Sequence, residues 1–578
     1  MKSGIKSLGR GVKGKVNALL ASNLELVLSI PGSKLYKQFV KASEDVEATQ
    51  NAVLREVMGY ACETEFGAQH DFGSVRTYDD YRKAVPVADY EAFRPLVDRH
   101  ARGEADVLFP GKPMMYTHTS GTTAKPKLLP ITRYNFERCI KNRGKLWLYG
   151  LMRDYPGVFK GKDLTVVSPA VDGHTEDGTP CGSMSGVVYQ NIPEFMKLVH
   201  TLPYEVVTIK DYEAKVYALV RFALPSDVSV MLTANPATVL NLVTRIDGWK
   251  EELFRDIRDG TLRKDLDIDP EIRAMCEARF EPAPDRAAEL EKLAGAHDRL
   301  LPTDYWPNLR LIHTWTNGNC ALVVPKLRPW FGESVPILDF GYLASELTGT
   351  DLLDKETNGS VIQVRNAFFE FTPCEEEDAP KTFLMAHQLE QGRRYFVYIT
   401  TFSGLYRYDM NDILEVVGHF NQVPILKFIH KGKGITSLQG EKLSELQLIE
   451  AVKSASAESG IDHEFFIGFA DALESRYDLY LELRGSPDDS QVQAFGESVD
   501  RALARMNEEY EAKRKSMRLG PVRVVTLGEK SFDRYRMLRL EEGAQEGQLK
   551  WMNLSCEERE RERLHRLADS YRRGPERE

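Results

Sequence analysis

The sequence predicts an α/β protein with a smaller α+β domain at its C-terminal end. Short apolar runs alternate with longer helical segments, and each run ends in a small or polar turn. This alternation indicates strands of a largely parallel sheet. Ligands of such sheets bind beyond the carboxyl ends of the strands, so the turns are candidate site walls. The four runs are Leu164–Val167, Val228–Leu232, Leu309–His313 and Val335–Leu338.

The texture changes after residue 361. The runs Phe368–Phe371 and Tyr395–Ile399 are aromatic and β-branched, which predicts antiparallel strands. A short basic, glycine-rich segment beginning at His430 follows and suits a hinge. We therefore expect a large N-terminal domain over residues 1–429, a hinge over 430–436 and a small C-terminal domain over 437–578.

The smaller domain has its own pattern of elements. Ser444 suits the start of a helix that ends at Gly460, because serine caps helix N-termini and glycine ends them. Two strands, at 465–469 and 477–483, precede a long charged helix from 486 toward 515. A last strand at 522–527 completes a compact α+β unit, and a mixed-charge helix is expected over the tail.

Composition excludes several classes of function. The chain has 578 residues and a net charge of −10, which argues against nucleic acid as its main partner. Its seven cysteines are dispersed without a C-x-x-C pair or zinc-ligand spacing, which is typical of free thiols in a reducing compartment. The basic N-terminus is followed by an interrupted apolar stretch, Val16–Ile30. We expect a cytoplasmic protein with this stretch docked as an amphipathic helix, a peripheral membrane helix being the alternative.

The segment from Tyr116 to Lys127 is the clearest candidate for a ligand site. It combines small hydroxyl residues, one glycine and two lysines, and such a loop leaves backbone N–H groups open to an anion. The apolar run Lys127–Ile131 follows at once, which favours a loop held on a rigid scaffold. A solvated polar turn is the alternative. The candidate phosphate-binding residues are Ser120, Gly121, Thr122 and Thr123.

Two later segments supply groups that a nucleotide would need. In Gly341–Glu346, the ring of Tyr342 can stack on a purine and the carboxylate of Glu346 can bind Mg²⁺. In Gly404–Asp412, Asp412 is expected to end a strand and to accept both ribose hydroxyls. The alternatives are an exposed residue at a helix start for Glu346 and a strand-end turn for Asp412.

Together, these three segments resemble the adenylate-forming superfamily of acyl-CoA synthetases, luciferases and peptide-synthetase adenylation domains. Thr119–Lys127 matches its T-S-G-T-T-x-x-P-K signature, except that Ala124 stands where glycine is usual. Tyr342–Glu346 and Gly404–Tyr408 are more similar to the plant auxin-responsive acyl-acid amido synthetases (the Gretchen Hagen family) and their bacterial members. The resemblance runs from about residue 31 to 554. Lys125–Lys127 and Asp409–Asn411 depart from the plant pattern.

The resemblance implies an adenylate-forming fold, with a β-barrel-like part in the large N-terminal α/β domain and a small, mobile C-terminal α+β domain. It also implies an ATP- and Mg²⁺-dependent ligase. The enzyme would activate a small carboxylic acid as its adenylate and transfer the acyl group to an amine, expected to be an amino acid. The implied roles are phosphate binding by the loop, Mg²⁺ binding by Glu346, nucleotide binding by Tyr342 and Asp412, and catalysis by lysines. The further residues in these roles are Asn317, Gly318 and Ser345 for the nucleotide, and Lys127 and Lys550 for catalysis.

Two alternatives share the same motifs. An acyl-CoA ligase has the same first half-reaction but forms a thioester, and an inactive nucleotide-binding scaffold has no reaction at all. The retained Glu346 and Asp412 argue against the scaffold, because a structural fold needs neither. We expect no nucleic-acid partner and no stable membrane association. The identities of acid and amine and the oligomeric state stay open.

Overall fold

The computed structural model describes residues 15–119, 127–351, 353, 359–374, 382–432, 434–485, 487–541 and 553–572. The chain divides into two compact units. The first comprises Met1–His118 and Leu128–Ile429, and the second comprises Thr119–Lys127 and His430–Glu578. No helix within the described ranges has the length and apolar character that crossing a bilayer would require.

The first unit contains the parallel sheet that the sequence predicts. Its four strands are Lys162–Thr165, Val228–Leu232, Leu311–Thr314 and Ile337–Asp339, arranged in chain order and all parallel. Every residue of the two middle strands is buried, including the polar Ser229, His313 and Thr314, which explains why their sequences do not alternate between apolar and polar residues. The last two strands begin two residues later than predicted.

The first unit also contains a second, antiparallel sheet and a large number of helices. The predicted helical stretch from 43 to 69 is two helices, Val46–Ala61 and Glu65–Gln69, because Thr64 caps the second by accepting from the Gly67 amide. The other helices of the unit are Leu24–Ser43, Tyr78–Ala84, Tyr90–Ala101, Arg133–Asn135, Lys141–Asp154, Met184–Gln190, Glu194–Lys197, Tyr204–Val207, Tyr212–Ala223, Pro236–Gly248, Lys250–Asp259, Pro270–Glu277, Pro284–Ala294, Pro302–Tyr305 and Val324–Phe331; tighter or wider turns are Phe72–Ser74, Phe136–Ile140, Gly318–Leu322 and Ala386–Gln388.

The region predicted as barrel-like is a seven-stranded sheet. The pairings between its strands that the structure describes are antiparallel, and its central strands bury aromatic and branched side chains such as Phe368, Phe371 and Ile399. In spatial order the strands are Leu384–Met385, Phe368–Pro373, Arg394–Thr400, Tyr408–Phe420, Val423–Lys431, Ser360–Ile362 and Thr350–Asp351.

A small third sheet flanks the candidate phosphate loop. Its strand order is Lys127–Ile131, Met115–Thr119, Pro180–Gly182 and Gly173–His174. The Met114 amide donates to the Ile131 carbonyl at 2.8 Å, and Thr117 Oγ1 donates to the Leu129 carbonyl at 3.4 Å. Residues 120–126 therefore connect two neighbouring strands of one sheet.

The second unit has the α+β composition that the sequence predicts. Ser444 and Gln447 form a reciprocal cap at the start of helix Glu445–Ser459, and Gly460 ends it with a φ of +72°. The strands are Ile435–Thr436 with Leu443–Ser444, and a four-stranded sheet in the order Arg523–Leu527, Arg476–Leu483, His463–Asp471 and Leu554–Ser555. The remaining helices are Asp489–Met506, Glu508–Lys515, Ser531–Glu541 and Glu558–Arg572.

One expectation for this unit is wrong. The long helix predicted from 486 toward 515 is interrupted at Asn507, which has extended backbone angles and caps the following helix by accepting from the Tyr510 amide. The side-chain amide of Asn507 also donates to the Glu441 carbonyl at 2.8 Å, so this side chain fixes the position of the break within the unit.

Candidate active site

Asp339 joins two turns at the carboxyl end of the parallel sheet, one that contains Thr316 and Asn317 and one that contains Gly341 and Tyr342. Its Oδ1 accepts from the Thr316 amide at 2.8 Å and from Thr316 Oγ1 at 3.0 Å, and its Oδ2 accepts from the Gly341 amide at 2.8 Å. Asp339 is 5% exposed, and burial raises its pKa although the donors from Thr316, Gly341 and Asn317 oppose this rise. One carboxylate therefore holds the Asn317 turn beside the Tyr342 turn.

Two glycines allow these turns to approach their neighbours closely. Gly318 has a φ of +57°, and a Cβ atom there would lie 2.9 Å from the ring of Phe428. Gly341 has a φ of +85°, and its Cβ would lie 2.6 Å from Thr350 Oγ1. A side chain at either position would collide with a neighbouring residue and would also strain the backbone. Glycine is therefore required at both positions.

Tyr342 and Asp412 form the central contact of the site. Tyr342 Oη donates to Asp412 Oδ2 at 2.6 Å, and the Tyr342 amide donates to Thr350 Oγ1 at 2.7 Å. The Tyr342 ring lies nearly parallel to that of Phe428, with centroids 6.3 Å apart and 11° between planes. Burial, with the nearby Asp412 carboxylate, raises the pKa of Tyr342 far above its usual range, so it stays a neutral donor.

The sequence predicted that Asp412 ends a strand, and this prediction is wrong. It lies inside the 13-residue strand Tyr408–Phe420, at a bulge where the pairing jumps from Phe396–Ile413 to Tyr398–Asp409. Asn411 adopts a φ of +49°, and its amide donates to Asp409 Oδ1 at 2.8 Å, which stabilises the bulge. Bulges redirect side chains, and this one carries the buried Asp412 to Tyr342.

Glu346 lies in a tight turn between Leu343 and Thr348, which pair as an antiparallel bridge. It is not at a helix start, and it is 8% exposed rather than solvated. Ser345 and Glu346 line a cleft whose other walls include Ile131, Ile140 and Met184. Burial raises the pKa of Tyr342 and Tyr408, and the nearby Glu346 carboxylate adds to the rise at both hydroxyls.

His313 was missed by the sequence reasoning, although it closes a predicted strand of the parallel sheet. Trp147 Nε1 donates to His313 Nδ1 at 3.2 Å, so Nε2 carries the proton and donates to the Asp339 carbonyl at 2.8 Å. The ring also stacks on Phe340 at 4.5 Å. Burial lowers the pKa of His313 to about 3, so the imidazole stays neutral and its Nδ1 keeps the lone pair that accepts from Trp147.

The ion pair of Arg143 and Asp351 was also missed. Arg143 Nε lies 2.6 Å from Asp351 Oδ1, at angles outside those of a hydrogen bond, so the pairing is electrostatic. Gln363 Nε2 donates to Asp351 Oδ2 at 2.7 Å. Burial raises the pKa of Asp351 to about 7 against the opposing effect of Arg143. The partners are far apart in sequence, and no local pattern points to them.

The Gly404–Tyr408 motif supports the site without entering it. The guanidinium of Arg407 binds both oxygens of buried Glu370, with Nε 3.0 Å from each, and its Nη1 donates to the Val85 carbonyl. Tyr406 Oη donates to the Leu108 carbonyl at 2.5 Å. The motif therefore anchors the start of the strand whose bulge carries Asp412.

The other candidate residues differ in what the structure says of them. Asn317, Gly318, Tyr342, Ser345, Glu346 and Asp412 all belong to the first unit. Lys127 is half-buried at the start of its strand. Ser120, Gly121, Thr122, Thr123 and Lys550 lie outside the described residues. Within the described ranges there is no group of three or more histidine, cysteine or carboxylate side chains able to hold a metal ion.

Family models match most of the chain. The GH3 family N-terminal domain matches residues 35–337, its central domain residues 360–431 and its C-terminal domain residues 446–559. The chain belongs to the GH3 family. This membership confirms the resemblance to the Gretchen Hagen proteins.

Curated relatives extend over nearly the whole chain. Indole-3-acetic acid-amido synthetase GH3.2 of Arabidopsis thaliana is 26% identical over 86% of this chain and 95% of its own length. Jasmonoyl–L-amino acid synthetase GH3.5 of Oryza sativa is 25% identical over 86% and 90%. The 4-substituted benzoates–glutamate ligase GH3.12 of Arabidopsis thaliana is 24% identical over 89% and 94%.

Solved structures confirm the predicted fold class. The GH3.15 acyl acid amido synthetase superposes with a TM-score of 0.62 at 22% identity, over 91% of this chain and 94% of its own. A 2-hydroxyisobutyryl-CoA ligase superposes with a TM-score of 0.50 at 11% identity, over 92% of each chain. The fold is thus that of adenylate-forming enzymes.

The GH3 family also confirms the class of reaction. This GH3 protein is an acyl acid amido synthetase, an adenylate-forming ligase that joins a carboxylic acid to an amino acid through an amide bond. Adenylate-forming ligases use ATP. The likeness to the CoA ligase concerns the fold alone, so it does not favour thioester formation.

Proposed function

We propose that Tyr342 and Asp412 bind the nucleoside of ATP beside the turns that Asp339 holds, and that the cleft beside Glu346 receives the carboxylic acid. The observation that carries this proposal is the hydrogen bond between Tyr342 and Asp412, a buried carboxylate bound by a side-chain hydroxyl. A ribose hydroxyl offers the same donor chemistry as the tyrosine. The carboxylate is therefore suited to accept from a sugar.

Asn317 and Gly318 would border the adenine edge. The turn that contains them is held by Asp339, and Gly318 packs against the ring of Phe428. Ser345 stands beside Glu346 in the cleft wall and would contact the nucleotide side of the adenylate.

The residues present fit a magnesium ion. Mg²⁺ in nucleotide sites is held by one or two carboxylates together with phosphate oxygens and water, so a three-residue cluster is not required. Glu346 supplies one buried carboxylate. A bound Mg²⁺ would lower the repulsion between an incoming carboxylate and the phosphates.

The remaining roles rest on the resemblance to adenylate-forming enzymes. Ser120, Gly121, Thr122 and Thr123 would bind the phosphates through backbone and hydroxyl groups, with Lys127 adding charge. Lys550 would assist adenylation. A hinge over 430–436, between domains 1–429 and 437–578, would let the smaller domain change position between adenylation and amide formation.

The acid is proposed to be small with an apolar body. The cleft beside Glu346 is lined by Ile131, Ile140 and Met184, with Asn135 and Asn366 as polar groups. The GH3 relatives are named for indole-3-acetic acid, jasmonate and substituted benzoates, which are acids of this kind.

A mass-spectrometric screen tests the proposal. The protein is incubated with ATP, Mg²⁺ and a panel of aryl and alkyl acids, with either an amino-acid mixture or CoA. We expect an amide product with AMP and pyrophosphate. A thioester alone would favour an acyl-CoA ligase, and ATP binding without pyrophosphate release for any acid would favour an inactive scaffold. The variant Ser120→Ala/Thr122→Ala serves as the inactive control.

A further inference from the structure

The N-terminal helical segment, residues 15–43, carries an exposed apolar stripe. Leu19, Leu26 and Ile30 are 65%, 67% and 71% exposed, and Val16 is 49% exposed. Across the described residues only one other large apolar side chain, Met517, exceeds 60%. A spacing of four residues places Leu26 and Ile30 on the same side of helix Leu24–Ser43, and Leu19 lies in the helical turns that precede the break at Asn23.

The opposite side of the segment is docked on the protein. Leu24, Leu28 and Phe39 are buried. Gly32 lies so close to the helix Lys141–Asp154 that a Cβ atom there would be 2.4 Å from Tyr149 Cβ. Tyr36 packs on Tyr149 with ring centroids 5.6 Å apart. The docked side holds the helix in place, so the apolar stripe faces outward.

Positive charge accompanies this stripe. Residues 1–43 contain eight lysines and arginines and one acidic residue, Glu25, whereas the whole chain has a net charge of −10. Lys34, Lys37 and Lys41 are exposed on the same helix. Glu25 Oε1 accepts from the Phe159 amide at 3.4 Å, so the single acidic group is turned toward the protein body.

We propose that the segment 15–43 is a docking surface for anionic lipid bilayers, to which this protein adsorbs reversibly. Exposed leucine and isoleucine side chains enter the interfacial region while lysines contact anionic headgroups. A second copy of the chain is a poorer occupant, because pairing two such faces would oppose lysine to lysine. The match to the GH3 N-terminal domain begins at residue 35, so most of the surface lies outside the matched residues.

Vesicle cosedimentation of the full chain tests this inference. We expect binding to phosphatidylcholine–phosphatidylglycerol vesicles at low salt, and at least about tenfold weaker binding to phosphatidylcholine alone. The variant Leu19→Gln/Leu26→Gln/Ile30→Gln should lose at least about tenfold in partitioning. The variant Lys34→Gln/Lys37→Gln/Lys41→Gln should bind less at low salt, and its deficit should shrink at high salt.

The controls separate adsorption from misfolding and from self-association. The variant Leu446→Gln/Met517→Gln removes exposed apolar side chains elsewhere and should bind vesicles normally. All variants should keep the circular dichroism of the parent. No binding of the parent chain, or equal binding by the apolar triple variant, would overturn the inference. A dimer that becomes monomeric in that variant, without vesicle binding, would instead identify a homodimer surface.

Discussion

Asp339 and Asp412 are two buried aspartates of the same unit, and their partners differ in kind. Asp339 accepts from two backbone amides and one hydroxyl that belong to the turns around it. Asp412 accepts from the phenol of Tyr342. The backbone amides of the turns are fixed in position and cannot be exchanged for a ligand group, whereas a side-chain hydroxyl can be replaced by a similar group on a ligand. Asp339 is therefore suited to hold the site and Asp412 to bind in it.

The largest effect is expected for Asp412→Asn. Loss of the charged acceptor for ribose hydroxyls should cost about 3 kcal/mol, or roughly a hundredfold in kcat/KM for ATP. Pyrophosphate release at varied ATP measures it. Glu415→Gln, at a half-buried carboxylate on the same strand that pairs with Arg394, is the matched control. Normal turnover in Asp412→Asn would remove this residue from the nucleotide site.

A change at Asp339 should act first on stability. In Asp339→Asn the amide NH₂ replaces an acceptor and faces backbone donors, so we expect about 2–3 kcal/mol lower free energy of unfolding. Urea unfolding followed by tryptophan fluorescence reports mainly on the first unit, which contains Trp147, Trp249, Trp306, Trp315 and Trp330. If stability were unchanged while ATP affinity fell, Asp339 would be a binding group, and the contrast with Asp412 would fail.

Acid should lower the stability of the fold through the buried His313. The pKa of His313 is about 3 in the folded chain and about 6.5 when unfolded, so its stabilising contribution is present above pH 6.5 and is lost as pH falls toward 3. Between pH 7.5 and 5.5 the loss is about 1.3 kcal/mol. Asp351, whose pKa is raised, has the opposite sign.

The His313 contribution is therefore measured as a difference. The change in unfolding free energy between the two pH values is compared in the parent chain and in His313→Gln, where the imidazole is gone and Asp351 is kept. The parent should lose about 1.3 kcal/mol more than the variant. Equal changes in both chains would mean that His313 is not held neutral by burial.

The smallest effect is expected for Tyr342→Phe. The ring and its packing on Phe428 stay, and one hydrogen bond to Asp412 is lost. We expect a loss of about 1 kcal/mol in stability and at most a several-fold change in KM for ATP. Thermal unfolding and ATP titration measure the two. A loss of activity as large as that of Asp412→Asn would show that the phenol itself is needed for activity. The role of Asp412 would then be closer to that of Asp339, which holds its partners in place.

Much of the architecture follows from local pattern. The continuous apolar run Val228–Leu232 is a strand at the predicted bounds, and Ser444 and Gly460 delimit a helix as expected. These succeed because burial on both faces and helix capping depend on residues close in sequence. The break in the helix at Asn507 was not predicted in this way. There the Asn507 side chain also binds the carbonyl of Glu441, which is distant in sequence.

The sequence by itself determined the family, the reaction class and the segments that carry the candidate site, because these depend on motifs that are contiguous in the chain. Only the tertiary structure decided that Asp412 sits in a bulge, that Glu346 is buried in a turn and that Asp339 joins two loops. Those facts depend on contacts between residues tens of positions apart. The free energy of burial and hydrogen bonding selects such contacts, and a local pattern does not encode them.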